Sequence, residues 1–225
     1  MKLHKKSPNP NRWRDGNPYD LLELRGLTSS LRNALWAVIA IAGSMFVIET
    51  AVGHFCGSHA LQADALDFLN DALLYALSLA VLGKSVRARA GGAALKAGIM
   101  CVASAWVLGF AAYHFAAPDL PHAGIMGMTG GLGILANLVC LAILVPHTGE
   151  RRLFRIDEDE KTGPDILGSS AVVVTAAAVW MLQSPWPDLL IAIAAAGQSF
   201  GRALQMLRQA GRLYRSDTAG RGDKL

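Results

Sequence analysis

Three aspartates stand at a spacing that brings carboxylates together. In Leu61-Gln62-Ala63-Asp64-Ala65-Leu66-Asp67-Phe68-Leu69-Asn70-Asp71 they occupy positions i, i+3 and i+7, one face of an α-helix. Asp67 and Asp71 are one turn apart and can approach the same ion. Carboxylates that close repel unless a proton or a cation lies between them, so the face suits a divalent cation or a proton. The competing reading makes Asp64 a helix cap and pairs Asp67 and Asp71 with arginines. Every Arg, however, falls in a polar segment or near the end of an apolar run. Two further acids stand in apolar surroundings. Glu49 lies between Phe46-Val47-Ile48 and Thr50-Ala51-Val52, with no basic neighbour. Asp165 follows Lys161-Thr162-Gly163-Pro164 and precedes a long apolar stretch. With Thr162 as cap and Pro164 early in the helix, Asp165 is expected in the first turn, at the positive end of the helix dipole.

The elements that carry these acids are long and apolar. The chain has 225 residues, 52% of them hydrophobic and 17% charged. Six runs carry few charges: Ala34–Phe55, Ala65–Leu82, Ala97–Ala116, Ala123–Val145, Pro164–Leu182 and Pro187–Met206. A soluble helix scatters charge over its outer face, whereas runs of about 20 apolar residues match the bilayer core. A soluble enzyme is therefore excluded, and the expected fold is all-α and polytopic, with six transmembrane helices. In that setting an acid is expensive, roughly 2.5–3.5 kcal/mol at a helix centre on insertion scales, and needs a partner or a purpose.

Basic residues set the orientation. All 21 Lys and Arg fall in the N-terminal tail, the second and fourth loops, or the last helix's end and tail. The other loops, Cys56 to Gln62, Ala117 to His122 and Gln183 to Trp186, carry none. The positive-inside rule then places both termini in the cytoplasm, with the protein in the cytoplasmic (inner) membrane. The same alternation argues against nucleic acid as a partner. Residues 1-32 read as a basic cytoplasmic tail rather than a cleaved signal peptide, 33-206 as the transmembrane domain and 207-225 as a short polar tail. Gly91–Gly92 and Gly163–Pro164 read as breaks at the ends of runs. Gly127 and Gly131 form a GxxxG pair suited to close helix packing. Cys56, Cys101 and Cys140 have no ligand or disulfide spacing and read as packing residues. His54, His59, His114 and His122 fall at outer helix ends, as solvated or interfacial residues. No GxxxxGK[ST] sequence is present.

The second run resembles the second-helix signature of the cation diffusion facilitator family, in which a metal ligand is followed four residues later by an Asp. Phe46-Val47-Ile48-Glu49, Asn137, Asp165-Ile166-Leu167-Gly168-Ser169-Ser170 and Trp186-Pro187-Asp188 extend the resemblance in the right order. It is closest to the short bacterial cation-efflux branch that lacks a cytoplasmic C-terminal domain. The resemblance implies a homodimeric exporter of zinc, cobalt or cadmium, driven by proton antiport and working by alternating access. The resemblance further implies no enzymatic activity and no cofactor beyond the transported ion. In the family a tetrahedral site takes two ligands from helix two and two from helix five. Asp67, Asp71 and Asp165 match three of these, with Asp64 and Glu49 as possible auxiliaries. The fourth position carries Lys161, whose ammonium would repel a dication, so Asp64, Glu160 or water would complete the shell. A degenerate membrane subunit or metal sensor of the same fold explains Lys161 directly. An intramembrane aspartyl protease is the weaker rival, because Asp165 lacks a Gly-x-Gly-Asp setting.

Overall fold

Gly57 and Ser58 turn the chain between its first two helices. Gly57 takes φ +72°, a left-handed conformation that suits a residue without Cβ. Ser58 is extended and accepts from the Leu61 N–H, capping the helix that follows. The computed structural model describes residues 29–81, 86–116, 118–147 and 165–222. Among these the chain is helical and has no strand. The helices are α1 (Ser29–Cys56), α2 (His59–Ala80), α3 (Val86–His114), α4 (Ala123–Leu144), α5 (Ile166–Leu182) and α6 (Trp186–Gly222). A 3-10 turn, Val145–His147, prolongs α4.

Among the described residues three stretches are long and apolar enough to cross a membrane: Ser29–Cys56, Ala88–His114 and Ala123–His147. α5 is equally apolar but has 17 residues, about 26 Å of helix. Large apolar side chains face outward all round the bundle, among them Phe55, Trp106, Met128, Leu135, Val174 and Trp180. A surface this apolar is what a membrane protein presents to lipid.

α2 carries none of these outward apolar side chains and lies inside. It packs against α1, α3, α5 and α6, while α4 bridges α1 and α5 and α6 bridges α5 and α3. Leu31, Leu35 and Val38 of α1 meet Leu74 and Tyr75 of α2 and Cys140 and Leu144 of α4. On the opposite side Ala63 and Leu66 of α2 pack with Met100 and Val107 of α3 and with Ala192, Ala196 and Ala203 of α6. The small alanines let α6 approach closely. Cys56 and Cys140 are buried among these apolar contacts and Cys101 packs at their edge.

Several boundaries differ from those the sequence suggests. α2 begins at His59, so His59 to Gln62 form its first turn instead of belonging to the preceding loop. The cause is a cap supplied from far away. The Asp188 carboxyl of α6 accepts from Ser58 Oγ (2.6 Å), His59 N (2.7 Å) and Ala60 N (3.1 Å). α3 runs through Gly91 and Gly92, and places Lys96 within the helix, buried, instead of in a loop. Gly92 there abuts α2's end, where a Cβ would sit 3.0 Å from Val81 Cγ1. α6 continues past Met206 to Gly222, so part of the segment read as a polar tail is helical. Gly127 packs on Ala176, but Gly131 faces open space. Gly130, where a Cβ would lie 2.9 Å from Val172 Cγ1, is the glycine that seats α5.

Candidate carboxylate site

α5 begins one residue after Asp165, and Asp165 is itself the cap instead of a first-turn acid. Its Oδ1 accepts from Leu167 N (3.1 Å) and Gly168 N (3.4 Å). Aspartate is among the strongest N-caps, which explains why the helix starts there. The α4 amide Asn137 fixes this end: its Nδ2 donates to the Asp165 carbonyl at 3.0 Å and to Ser169 Oγ at 3.2 Å.

The start of α5 faces the acids of α2. Gly168 is the point of closest approach, where a Cβ would stand 2.5 Å from Asp64 Oδ1 and 2.9 Å from Asp67 Oδ2. Only a residue without a side chain fits between them. Gly133 of α4 plays the same part for α1. A Cβ there would lie 2.7 Å from Glu49 Oε1 and 2.9 Å from Ser169 Oγ. Asp165 is within electrostatic range of Asp64 and Asp67, and so is Glu49. Four acids from three helices thus share one interior region. Two carboxylates about 5 Å apart, at an effective dielectric near 20, repel by roughly 3 kcal/mol. The cluster therefore suits a neutralising cation or proton.

The acids are not equally served. Glu49 is 0% exposed and Asp64 3% exposed, and neither carboxyl has a hydrogen-bond partner among the described residues. The Ser169 hydroxyl lies beside Asp64 without reaching an oxygen in ordinary hydrogen-bond geometry. Leaving a buried polar group unmatched is costly, so these four oxygens are poised to take a ligand. Asp67 is at the edge, and Arg202 of α6 approaches its Oδ1 at 3.4 Å. An arginine thus reaches Asp67, a pairing that the sequence argues against, because α6 packs beside α2 and carries Arg202 to it. Asp71, one turn further along α2, is buried in the neighbourhood of Cys140 on α4.

Among the described residues, no three His, Cys, Asp or Glu side chains are placed to hold a metal ion together. Asp165 turns an oxygen to its own helix start, and Arg202 stands against Asp67. Lys161 and Glu160 lie outside the described residues. Gly133 and Arg202 escape a reading of the sequence, and Gly168 and Ser169 enter it only within the stretch Asp165 to Ser170, with no sign of their part at the contact. A helical glycine carries no sign of what approaches it, although Gly168 within three residues of Asp165 was the available clue. Compared with known proteins, the chain matches no family model and no curated sequence.

Proposed function

We propose that this chain is a secondary transporter that moves divalent metal cations out of the cytoplasm in exchange for protons, in the manner of the cation diffusion facilitators it resembles. The observation that carries the reading is the pair of buried, unmatched carboxyls, Glu49 and Asp64, beside Asp67 and Asp165 at the glycine contact of α2 and α5. In this reading all six helices span the inner membrane with both termini in the cytoplasm, and two copies work as a homodimer. Asp67 and Asp165 ligate the cargo, with the third ligand from Asp64 or Asp71 and with Glu49 as an auxiliary. Loading requires Asp165 to leave its cap and Arg202 to leave Asp67. Both are small side-chain rotations at the edge of the cluster. Carboxylates must shed protons to bind metal, so binding and proton release are one event. Oxygen ligands are hard and distinguish zinc, cobalt and cadmium from manganese less sharply than imidazole would.

A second reading has one observation in its favour. A guanidinium already faces Asp67, which fits a non-transporting subunit or sensor whose cation site is filled by its own arginine. Cellular metal content separates the two. Cells expressing the full chain should hold less zinc, cobalt or cadmium than cells carrying an empty vector, and Asp67→Asn should abolish the difference. Equal metal content in all three strains favours the non-transporting reading.

A further inference from the structure

A second group of titratable side chains gathers outside the acid cluster, where α2 begins and α3 ends. His59, the first residue of α2, and His114, the last of α3, have ring centroids 5.1 Å apart. Both pack on Phe110, at 5.3 Å and 4.5 Å, and the exposed His54 of α1 meets the same ring at 6.1 Å. Three histidines, two from the α1–α2 corner and one from the end of α3, therefore surround one phenylalanine.

The two closest are prepared as donors. His114 Nδ1 lies 2.9 Å from the Phe110 carbonyl oxygen, which can only accept, so Nδ1 carries the proton. Its Nε2 then holds the free lone pair in the neutral ring. A backbone carbonyl on the far nitrogen is the usual support of a metal-binding histidine. His59 is 8% exposed, and its Nδ1 is buried with no hydrogen-bond partner among the described residues. Its backbone N–H is tied to Asp188 Oδ2 at 2.7 Å, which fixes where the ring starts. Zinc–imidazole bonds of about 2.0–2.1 Å at a tetrahedral angle put two ring centres roughly 5 Å apart, close to the separation found here.

We infer that His59 and His114 form a two-imidazole site for a borderline divalent transition metal such as zinc, separate from the carboxylates of α2 and α5. With no three-ligand group among the described residues, water fills the other positions. Two nitrogens favour zinc, copper or nickel over magnesium, calcium or manganese. The inference does not depend on the transport reading, since it concerns binding alone.

Cu2+ serves as the probe, titrated into the full chain in detergent micelles near neutral pH and read by electron paramagnetic resonance. The wild type should show nitrogen coupling. His59→Gln and His114→Ala should each remove a coupled nitrogen and weaken binding about tenfold or more, while His147→Gln, at the far end of α4, leaves both unchanged. Unaltered coupling and affinity in both histidine variants would overturn the site. A measurement on the unmutated chain guards against a folding defect: Zn2+ should protect His114 from acylation by diethyl pyrocarbonate, detected by mass spectrometry. Equal modification with and without Zn2+ would overturn the site as well.

Discussion

Gly168 of α5 lies against Asp64 of α2 so closely that a Cβ would stand 2.5 Å from the carboxyl oxygen Oδ1. Helix backbone and acid meet there with no side chain between them. The contact sets the distance between the helices that supply Asp64, Asp67 and Asp165, so the shape of the carboxylate site is written partly in glycine.

Gly168→Ala should therefore push α5 off α2. Overpacking of a tight contact costs about 1–3 kcal/mol, and the cost should shrink when Asp64→Ala is added. Thermal unfolding of the four proteins in detergent reads this coupling. Additive effects of the two substitutions would mean that the contact is looser than described.

The long-range cap is the second test. Asp188→Ala leaves Ser58 and the His59 and Ala60 amides without their acceptor, at a cost on the order of 2–4 kcal/mol. Asp188→Asn, which keeps one acceptor oxygen, should lie between. Amide hydrogen exchange at His59 and Ala60 should accelerate in the order wild type, Asn, Ala. Equal exchange in all three would remove Asp188 from the cap.

Arg202 is 53% exposed, and an ion pair so open to solvent contributes less than about 1 kcal/mol. Arg202→Gln should leave the melting temperature nearly unchanged. It should tighten divalent metal binding, by about tenfold if the guanidinium competes with the ion, which is 1.4 kcal/mol. Titration calorimetry with zinc and manganese measures this. Marked destabilisation with unaltered affinity would make Arg202 a structural partner of Asp67 alone.

Much of this arrangement was legible in the chain. The period of Asp64, Asp67 and Asp71 announced one acidic helix face, and the run Ala123–Val145 nearly coincides with α4. What failed to show was supplied by distant partners. Ser58 is a local sign of the start of α2, but Asp188, which holds that start from a position 129 residues beyond His59, leaves no trace in the local sequence. Gly91 and Gly92 resemble a break, yet α3 runs on through them, with Gly92 where a Cβ would crowd Val81. Asp165 was recognised as an acid at a helix start, but Pro164 and Thr162 obscured that Asp165 is the cap. Arg202 lies near the end of the apolar run Pro187–Met206, and only the packing of α6 against α2 brings it beside Asp67.

The ligand set that the resemblance implies, Asp67, Asp71 and Asp165, holds Asp71 where the acids brought together in the fold include Asp64 and Glu49. Single substitutions to Asn decide between them. If Asp64 lines the ion path, Asp64→Asn should lower metal affinity by tenfold or more while Asp71→Asn retains most of it. The reverse order would assign the third ligand to Asp71. Lowering the pH should weaken binding in either case, because protons compete for the same carboxylate oxygens.

In the proposed transport cycle the carboxylates at the α2–α5 contact exchange metal for protons. Purified full chain in liposomes, with a metal-sensitive and a pH-sensitive dye enclosed together, follows both ions at once. Outside zinc, cobalt or cadmium should enter wild-type vesicles while the interior turns alkaline, and Asp67→Asn vesicles should show neither signal. Metal entry with no change of interior pH, or wild-type vesicles indistinguishable from empty ones for every metal, would contradict the account.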